Sequence, residues 1–269
     1  MKNRDIPQVE DLLRDKEDSY AGACGRFLSR HPLKDQVWVL RHRSLALIIN
    51  SRSTLMPVLY GLKEIPDLHF LNSFLHVKKI HSVQGLCDEV VVLENAMEKT
   101  GRVIIDIFDY DLMALDCIPS GKSYPGPENL VLRVPKMIDI DKLAPLQAGY
   151  EKEEVLPRGS AFSPASSRIN LANIIARGQI LAAELDGVMV GKINVSALSF
   201  TRCQIGGVYV HPDFRGRGIA RYMTEEFITS FLKQGRGITL FVKKNNISAQ
   251  KLYSGLGFKK TDDYRISYY

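Results

Sequence analysis

The sequence predicts an α/β protein built on a mixed β-sheet, and three observations support this fold class. In the second half of the chain, strand-like and helix-like segments alternate in the order βααβββαβαβ. Asp186-Gly187 lies between two apolar runs, which is typical of a β-hairpin turn. The 269 residues are 45% apolar and 25% charged, and this balance excludes a disordered, collagen-like or coiled-coil chain.

A composition break divides the chain in two. Residues 118–129 contain three prolines, two glycines and two serines, which cannot sustain a helix or a central strand. We interpret this segment as a linker and predict two domains, residues 1–125 and residues 126–269. Each is long enough to bury a core of its own.

Local patterns place the elements of the second half. Ile219, Met223, Phe227 and Phe231 recur at helical spacing, and Gly235 ends that helix. The predicted elements, in order, are strand 130–134, helix 139–154, helix 166–177, strands 179–185, 188–195 and 204–210, the helix from 219, strand 238–242, helix 248–254 and an extended segment from 258.

The first half has weaker patterns of the same mixed α/β character. Helical spacing covers residues 9–30 and 87–98, and β-type runs cover residues 37–43, 45–50 and 103–110. This half contains no glycine-rich connection from a strand to a helix.

The positive charge of the chain is concentrated in its second half. The formal net charge is +6. Residues 1–129 carry 16 Lys and Arg against 18 Asp and Glu, a net −2, whereas residues 130–269 carry 20 against 12, a net +8. A basic balance can indicate nucleic acid, an anionic membrane surface or an anionic small ligand.

Other sequence features indicate a cytoplasmic protein that is not bound to a membrane. No run approaches the ~20 apolar residues that span a bilayer, and the charged N-terminal segment has no apolar signal core. The cysteines lie far apart with no C-x-x-C pair, which fits reduced thiols better than disulfides or a zinc framework. They are Cys24, Cys87, Cys117 and Cys203.

The segment Val208-Tyr-Val-His-Pro-Asp-Phe-Arg-Gly-Arg-Gly-Ile-Ala220 carries the most chemical information. A strand leads through glycines into a helix N-terminus, where unpaired N–H groups and the helix dipole form a cradle for an anion such as a diphosphate. Gly216 and Gly218 allow the backbone to approach phosphate oxygens closely. Three arginines add positive charge: Arg215, Arg217 and Arg221. Taken alone, the loop also fits a plain glycine-rich connection with surface arginines.

The spacing excludes two common phosphate loops. Residues 215–220 lack the G-x-x-x-x-G-K-[ST] spacing of a P-loop. They also lack the third glycine of the dinucleotide-binding fingerprint, and no acidic residue for a ribose follows a downstream strand.

Two motifs follow one another, separated by one helix and one strand. The first has the form [RQ]-x-x-G-x-[GA] through Arg215, Gly218 and Ala220. The second, N-x-x-A-x-x-L-Y-x-x-x-G-F, is matched by Asn246, Ala249, Leu252, Tyr253, Gly257 and Phe258. In this order they resemble the acetyl-CoA pyrophosphate signature and the second signature of the GNAT superfamily of N-acetyltransferases. The resemblance covers about residues 130–269.

This resemblance implies the GNAT acyl-CoA N-acyltransferase fold, in which a central strand parts from its neighbour and acyl-CoA occupies the gap. It implies that Asn246 bonds the pantetheine arm and that Tyr253 lies near the thioester sulfur. The backbone of Val208, Tyr209 and Val210 would pair with the pantetheine amides. The pyrophosphate would be held by Arg215, Gly216, Arg217, Gly218, Ile219, Ala220 and Arg221. The Gly206-Gly207 pair fits this picture, because glycine in a strand permits close approach.

The implied reaction is attack by a neutral amine on the thioester carbonyl of acetyl-CoA. Backbone N–H groups would polarise that carbonyl, and Tyr253 matches the general acid for the leaving thiolate, although packing on CoA or the core also explains it. Many members carry a glutamate on the strand before the loop, whereas this strand offers only Gln204. The base therefore stays open between a water chain, Glu184 on a neighbouring strand and a residue of the first domain. His211 lies at a turn where histidine is common without a catalytic role.

Some further charged residues have two interpretations. Glu151-Lys-Glu-Glu154 follows the first helix, where it would attract a cationic amine or simply end the helix in solvent. Lys243 and Lys244 would reach a CoA phosphate or remain solvated. The histidines show no metal-ligand spacing, so we predict no metal site. They include His31, His42, His69, His76 and His81.

The first domain carries neither motif. Its segments 54–61 and 81–85, after a strand pair, resemble the degenerate half of tandem GNAT proteins. This implies a second GNAT-like domain that has lost its cofactor loop and either walls the acceptor site or stabilises the pair.

The sequence thus favours an acetyl-CoA-dependent N-acetyltransferase acting on a primary amine. A non-catalytic acyl-CoA-binding regulatory module is the alternative. Nucleic-acid binding ranks below both, because the arginines cluster on one turn. The identity of the acceptor and the oligomeric state stay open, and a homo-oligomer is compatible with the sequence.

Overall fold

In the computed structural model, which describes residues 5–30, 35–42, 44–51, 53–64, 80–119 and 125–269, the strands of both halves form one mixed sheet. In chain order they are β1 Gln36–His42, β2 Ser44–Ser51, β3 Thr54–Val58, β4 Ser82–Leu86, β5 Asp106–Leu115, β6 Leu130–Arg133, β7 Ile180–Leu185, β8 Val188–Leu198, β9 Arg202–Val210, β10 Gly237–Lys243 and β11 Lys259–Tyr268. Across the sheet the order is β1-β2-β3-β4-β11-β5-β10-β9-β8-β7-β6.

Helices cover both faces of the sheet. Those of the described residues are α1 Ile6–Asp15, α2 Glu17–Leu28, α3 Cys87–Glu98, α4 Ile140–Tyr150, α5 Pro164–Ala176, α6 Ile219–Leu232 and α7 Ile247–Gly255. Helix α4 continues into a π-helical turn, Glu151–Val155, which we call the π-turn. Short 3₁₀ helices lie at Met137–Asp139 and Pro212–Phe214.

Strands β5 and β11 join the two halves. Although β5 precedes the predicted linker, it pairs antiparallel with β10 on one side and with β11 on the other. The last strand, β11, also pairs with β4 of the first half. The domain boundary at residues 125 and 126 therefore stays a prediction within a sheet that is continuous across it.

Helix α2 attaches the N-terminal segment to the second half through one carboxylate. Glu17 accepts hydrogen bonds from the backbone N–H of Thr201 at 2.7 Å and of Arg202 at 3.1 Å, and from the hydroxyl groups of Ser199 and Thr201. Burial alone would raise the pKa of Glu17, but these hydrogen bonds outweigh it and lower the pKa. The turn between β8 and β9 is thereby fixed against α2.

The local signals of the second half are confirmed in detail. Asp186 and Gly187 have φ of 48° and 83°, the left-handed pair that a two-residue hairpin requires. Gly235 has φ of 75° just beyond α6. The stripe of Ile219, Met223 and Phe227 is buried in the core formed with the sheet and α7.

The three largest differences between predicted and observed boundaries are as follows. The predicted helix 9–30 is two helices, because Lys16 adopts a non-helical conformation with φ of −130° between them. The predicted strand 103–110 begins later and runs further, as β5, since its pairing with β10 extends to Leu115 and its pairing with β11 to Ala114. The predicted helix 139–154 ends at Tyr150, where the wider π-turn begins. His31, His69 and His76 lie outside the described residues.

Candidate functional site

A cleft opens where β9 and β10 separate. Their parallel pairing covers only three residue pairs and ends at Thr239↔Gln204. Beyond this point lies a cavity of about 400 Å³. Its lining includes Ile205, Gly206, Gly207 and Val208 from β9, residues 240–243 from β10, Asn246, Ala249 and Tyr253 from the start of α7 and its helix, and Tyr150, Glu154 and Val155 from α4 and the π-turn. Backbone polar groups of both strands face this cleft without a strand between them.

The glycine loop follows directly from β9. Gly216 and Gly218 have φ of 77° and 78°, a conformation that favours glycine. A Cβ at either position would meet no atom within 4 Å, so open space lies beside both. Gly218 is the N-cap of α6, and no side chain caps this helix and no acidic residue occupies its first turn. The first N–H groups of α6 are thus available to an anion.

The three arginines of the loop make different contacts. The guanidinium of Arg215 is turned to the Glu153 carboxylate at 2.8 Å and to the Val210 carbonyl oxygen at 3.0 Å. Arg217 donates to the Asp213 carbonyl oxygen at 3.3 Å, and Arg221 donates to the Gly255 carbonyl oxygen at 3.0 Å. Their charge surrounds the loop, but the Arg215 side chain is held by a carboxylate of the protein.

The residues predicted to contact the pantetheine arm differ in whether their side chains line the cleft. Val208 lines the cleft, whereas the side chains of Tyr209 and Val210 are buried elsewhere. In the loop and α6, Ile219 is buried in the core and Ala220 packs against it, so both would act through their backbone.

Tyrosines form much of the cleft wall. Tyr253 lies on α7 and is buried, with its ring 5.8 Å from that of Phe258. Burial, with smaller effects of Tyr150 and Glu154, raises the pKa of Tyr253 well above its ordinary value. Burial also raises the pKa of Tyr150 and that of Tyr268 to about 12. These phenols stay protonated at neutral pH, as a proton donor must.

The π-turn spans the mouth of the cleft and contacts both of its walls. On the β9 side, Glu153 binds Arg215 and accepts a hydrogen bond from the Tyr209 hydroxyl at 2.7 Å. On the β10 side, Glu154 accepts from Asn246 Nδ2 at 3.1 Å and lies 3.5 Å from Lys243 Nζ. The other side-chain atom of Asn246, Oδ1, caps α7 by accepting from the Ala249 N–H at 3.1 Å.

Glu184, the base candidate that the sequence names, does not line the cleft, and neither do Gln204 and His211. Glu184 accepts from Arg133 Nε at 2.9 Å on β7, two strands away from β9, which argues against it as the base. Gln204 is buried against α2, with Oε1 at 3.1 Å from the position of a Cβ on Gly22. His211 lies 3.6 Å from Asp213 at the surface. Glu154 is the one carboxylate among the cleft-lining residues that the structure describes.

One buried charged residue beside the cleft was not found from the sequence. Lys192 lies in β8, within the apolar run 188–195, and its side chain is completely buried. The sequence does show a lysine within a largely apolar strand, which could have indicated a buried charge. The period-2 alternation of a strand, however, assigns such a residue to the solvent face.

The described residues contain no group of three or more His, Cys, Asp or Glu that could hold a metal ion. Within the same residues, no helix is long and apolar enough to cross a bilayer.

Comparisons with known proteins point to one family. Residues 148–258 match the acetyltransferase (GNAT) family. An uncharacterised N-acetyltransferase of Archaeoglobus fulgidus is 26% identical over 98 residues, covering 31% of this chain and 67% of that protein. Another, of Methanocaldococcus jannaschii, is 30% identical over 98 residues, covering 31% of this chain and 43% of that protein. The chain thus spans less than half the length of the second relative.

Solved structures are similar over both halves. A GCN5-related N-acetyltransferase from Sphaerobacter thermophilus, 18% identical, superimposes with a TM-score of 0.63 over 100% of this chain and 93% of that one. The tandem GNAT protein from the clavulanic acid biosynthesis pathway, 13% identical, gives a TM-score of 0.59 over 100% of this chain and 95% of that one. These likenesses establish a common fold for the full length of the chain.

Proposed function

Residues 148–258 form an acetyltransferase domain of the GNAT family, and from this premise we propose that the protein transfers an acetyl group from acetyl-CoA to a primary amine. The observations that carry the proposal are the cleft between β9 and β10 and the loop at Gly216 and Gly218, which follows β9 in the chain. A strand gap together with an uncapped helix N-terminus after the same strand suits a ligand with a polar chain and a diphosphate.

The residues present fit acetyl-CoA. The free edge of β9 at residues 205–208 offers backbone partners to the pantetheine amides, and the N–H groups at the start of α6 suit the pyrophosphate. Asn246 is already engaged as the α7 cap through Oδ1, so its Nδ2 is the group left for the ligand once Glu154 gives way. Bound acetyl-CoA supplies the activated acetyl group.

Two side chains of the cleft move protons in this proposal. Glu154 takes the proton of the attacking amine, because it is the carboxylate that lines the cleft. Tyr253 gives its hydroxyl proton to the departing thiolate, and its raised pKa keeps that proton in place until then. Backbone N–H groups of β9 polarise the reacting carbonyl.

The first half supplies a wall to the same cleft. Thr54 of β3 and Ser82 and Gln84 of β4 line the cavity, and the Thr54 and Ser82 hydroxyl oxygens are 2.9 Å apart. We therefore assign to the first half the role of walling the acceptor end with uncharged polar groups.

The proposal is tested by thiol release from acetyl-CoA in the presence of a set of primary amines, together with acetyl-CoA binding by calorimetry. Gly218→Glu places a carboxylate in the anion cradle, and we expect it to reduce acetyl-CoA affinity at least about 100-fold. Gly235→Glu is the matched control, because Gly235 lies at the other end of α6 with φ of 75° and the same open surroundings.

The outcomes separate the candidates. Equal affinity of the two glycine variants would remove the loop from the ligand site. Tight binding of acetyl-CoA to the wild type without thiol release with any amine would favour the regulatory module, a reading that Gln204 in place of a strand glutamate supports.

A further inference from the structure

Lys192 is buried at a cost that its surroundings do not offset with a counter-ion. The side chain has 0% exposure, and no carboxylate of the described residues lies within 4 Å of Nζ. Instead, Nζ donates to the Gly207 carbonyl oxygen at 3.0 Å and to Asn194 Oδ1 at 3.3 Å, and lies 4.7 Å from the centre of the Tyr150 ring. Buried ammonium groups are rare without a paired carboxylate, and a functional constraint commonly explains them.

The contacts of Lys192 lead directly to the cleft. Gly207 and Tyr150 both line the cavity. Lys192 pairs with Tyr209 and Asn194 pairs with Gly206, so two residues of β9, at 207 and 208, face one residue of β8. This is a β-bulge, a device that re-aims the backbone beside functional sites.

The bulge and the lysine form one unit. Gly207 has φ of 60°, and a Cβ there would lie 2.9 Å from Lys192 Nζ and collide with Asn194 Oδ1. The Lys192 and Asn194 side chains therefore occupy the space that a side chain at position 207 would fill. Position 207 therefore favours glycine for two reasons: its backbone has a positive φ, and its neighbours leave no room for a Cβ.

The charged surroundings of Lys192 come from few elements. Burial lowers the pKa of Lys192 to about 7, and the Glu151 carboxylate of the π-turn opposes this weakly. Glu151 itself accepts from Gln147 Nε2 at 2.8 Å on α4 and from Asn170 Nδ2 at 3.4 Å on α5. Among the described residues, two phenols also lie beside Lys192, Tyr150 on α4 and Tyr209 opposite on β9.

We propose that Lys192 is a positioning residue for acetyl transfer, whose ammonium group holds and polarises the peptide between Gly207 and Val208 in the β9 bulge. In a planar trans peptide the C=O and N–H point in opposite directions, so the Val208 N–H points away from Lys192. A cation on the carbonyl oxygen strengthens that N–H as a donor. Val208 lines the cleft, and its N–H is thus a prepared partner for the reacting thioester oxygen.

This inference rests on the proposed function, and its tests distinguish the two. Lys192→Met removes the charge and keeps the length of the side chain. We expect kcat to fall about 10-fold to 100-fold, while KM for acetyl-CoA changes less than about threefold. The wild type should lose rate above about pH 7 as Lys192 loses its proton, and this descending limb should be absent from the variant.

Lys192→Arg is the matched variant, because it stays charged at every pH. It should recover most of kcat over Lys192→Met and also lack the descending limb. Equal rates for the Met and Arg variants, or a descending limb that persists in both, would overturn the positioning role. A wild type that binds acetyl-CoA but releases no thiol would overturn the proposed function and this inference together.

A measurement on the wild type makes the test independent of how the variants fold. With ¹³Cε-labelled lysine, one resonance should titrate near pH 7 and shift when acetyl-CoA binds. A wild type in which every lysine resonance titrates above about pH 9 would contradict the expected descending limb, since an ordinary lysine pKa is about 10.4. A wild type in which no lysine resonance shifts when acetyl-CoA binds would contradict the positioning role.

Discussion

Each half of the sheet contains one short parallel strand pair, and the two pairs have opposite fates. In the second half, β9 and β10 pair over three residues and then open into the cleft. In the first half, β3 and β4 pair over Thr54↔Ser82 and Leu55↔Val83, and α3 follows β4 as α7 follows β10. There the two strands stay close beyond the pair, and the cavity beside Met56, Pro57, Gln84 and Gly85 is only about 10 Å³.

The carboxylate of Glu89 binds the backbone just after β3. It is 6% exposed, and its Oε1 accepts from the Tyr20 hydroxyl at 2.7 Å and from the backbone N–H groups of Leu59 and Tyr60 at 2.9 and 2.8 Å. Leu59 and Tyr60 directly follow β3, as the glycine loop follows β9. An internal anion thus takes the strand-end N–H groups that an external anion would take in the second half.

The position of Glu89 shows how small the difference is. Glu89 is the third residue of α3, and the third residue of α7 is Ala249, which lines the cleft. The same strand arrangement is therefore open beside a small side chain at this helix position and nearly closed beside a carboxylate.

The largest expected effect comes from making the second half resemble the first. Ala249→Glu places a carboxylate at the position in α7 that Glu89 has in α3. We expect acetyl-CoA affinity to fall about 100-fold, because the new charge occupies the cleft and repels the diphosphate. The helix should tolerate it, since an acidic residue is favourable in a first turn. Calorimetric titration with acetyl-CoA measures the effect.

Ser248→Glu is the control for Ala249→Glu. Ser248 is the exposed neighbour in the same turn of α7, so its variant adds the same charge outside the cleft. Its affinity should stay within about threefold of the wild type, in keeping with the small effect of exposed charges. Equal losses in both variants would mean that charge near the loop, and not filling of the cleft, separates the two halves.

A smaller effect is expected from neutralising the internal anion of the first half. Burial raises the pKa of Glu89 to about 7 from an ordinary 4.5, against hydrogen bonds from Tyr20 and Leu59 that lower it. Between pH 4.5 and about pH 7 the folded protein therefore keeps a proton on Glu89 that the unfolded chain has lost, which stabilises the fold. This contribution to the free energy of unfolding is present at pH 5 and lost by pH 8. The wild type should lose about 2 kcal/mol more of its free energy of unfolding than Glu89→Gln over this interval.

Urea unfolding at pH 5 and pH 8 measures this difference. Glu98→Gln, on the exposed side of α3, is the matched control and should follow the wild type. If Glu89→Gln loses as much stability as the wild type on going to pH 8, Glu89 is not the titrating group and the internal-anion explanation fails.

Local sequence patterns predicted the parts of this comparison that depend on neighbours in the chain. Asp186-Gly187 gave its hairpin and the Gly216 and Gly218 loop gave its left-handed backbone, because turns are encoded by the residues that form them. The position of β5 between two strands of the second half was not predictable, since its pairing with β10 joins residues more than 100 positions apart.

The missing parts of the candidate site have the same origin. Glu89 and Lys192 look like ordinary charged residues of a helix and a strand, and only tertiary packing buries them. Glu184 was a base candidate because it lies on a strand predicted to neighbour the one before the loop. In the sheet it pairs with Arg133, and Glu154 of the π-turn faces the cleft instead.

The smallest expected effect concerns a carboxylate at the mouth of the cleft between β9 and β10. Glu153 holds the Arg215 guanidinium at 2.8 Å, but both side chains are more than two-fifths exposed, 43% and 47%. Unlike Glu89, it is positioned to be displaced.

Glu153→Gln should release Arg215 toward the ligand and raise acetyl-CoA affinity about threefold, with a smaller gain at high salt because exposed ion pairs are screened. Glu226→Gln removes the same charge from the exposed face of α6 and should leave the affinity unchanged. If Glu153→Gln instead weakens binding, Glu153 is a fixed part of the ligand site. The carboxylates of Glu89 and Glu153 would then differ in where they lie, but neither would be displaced by a ligand.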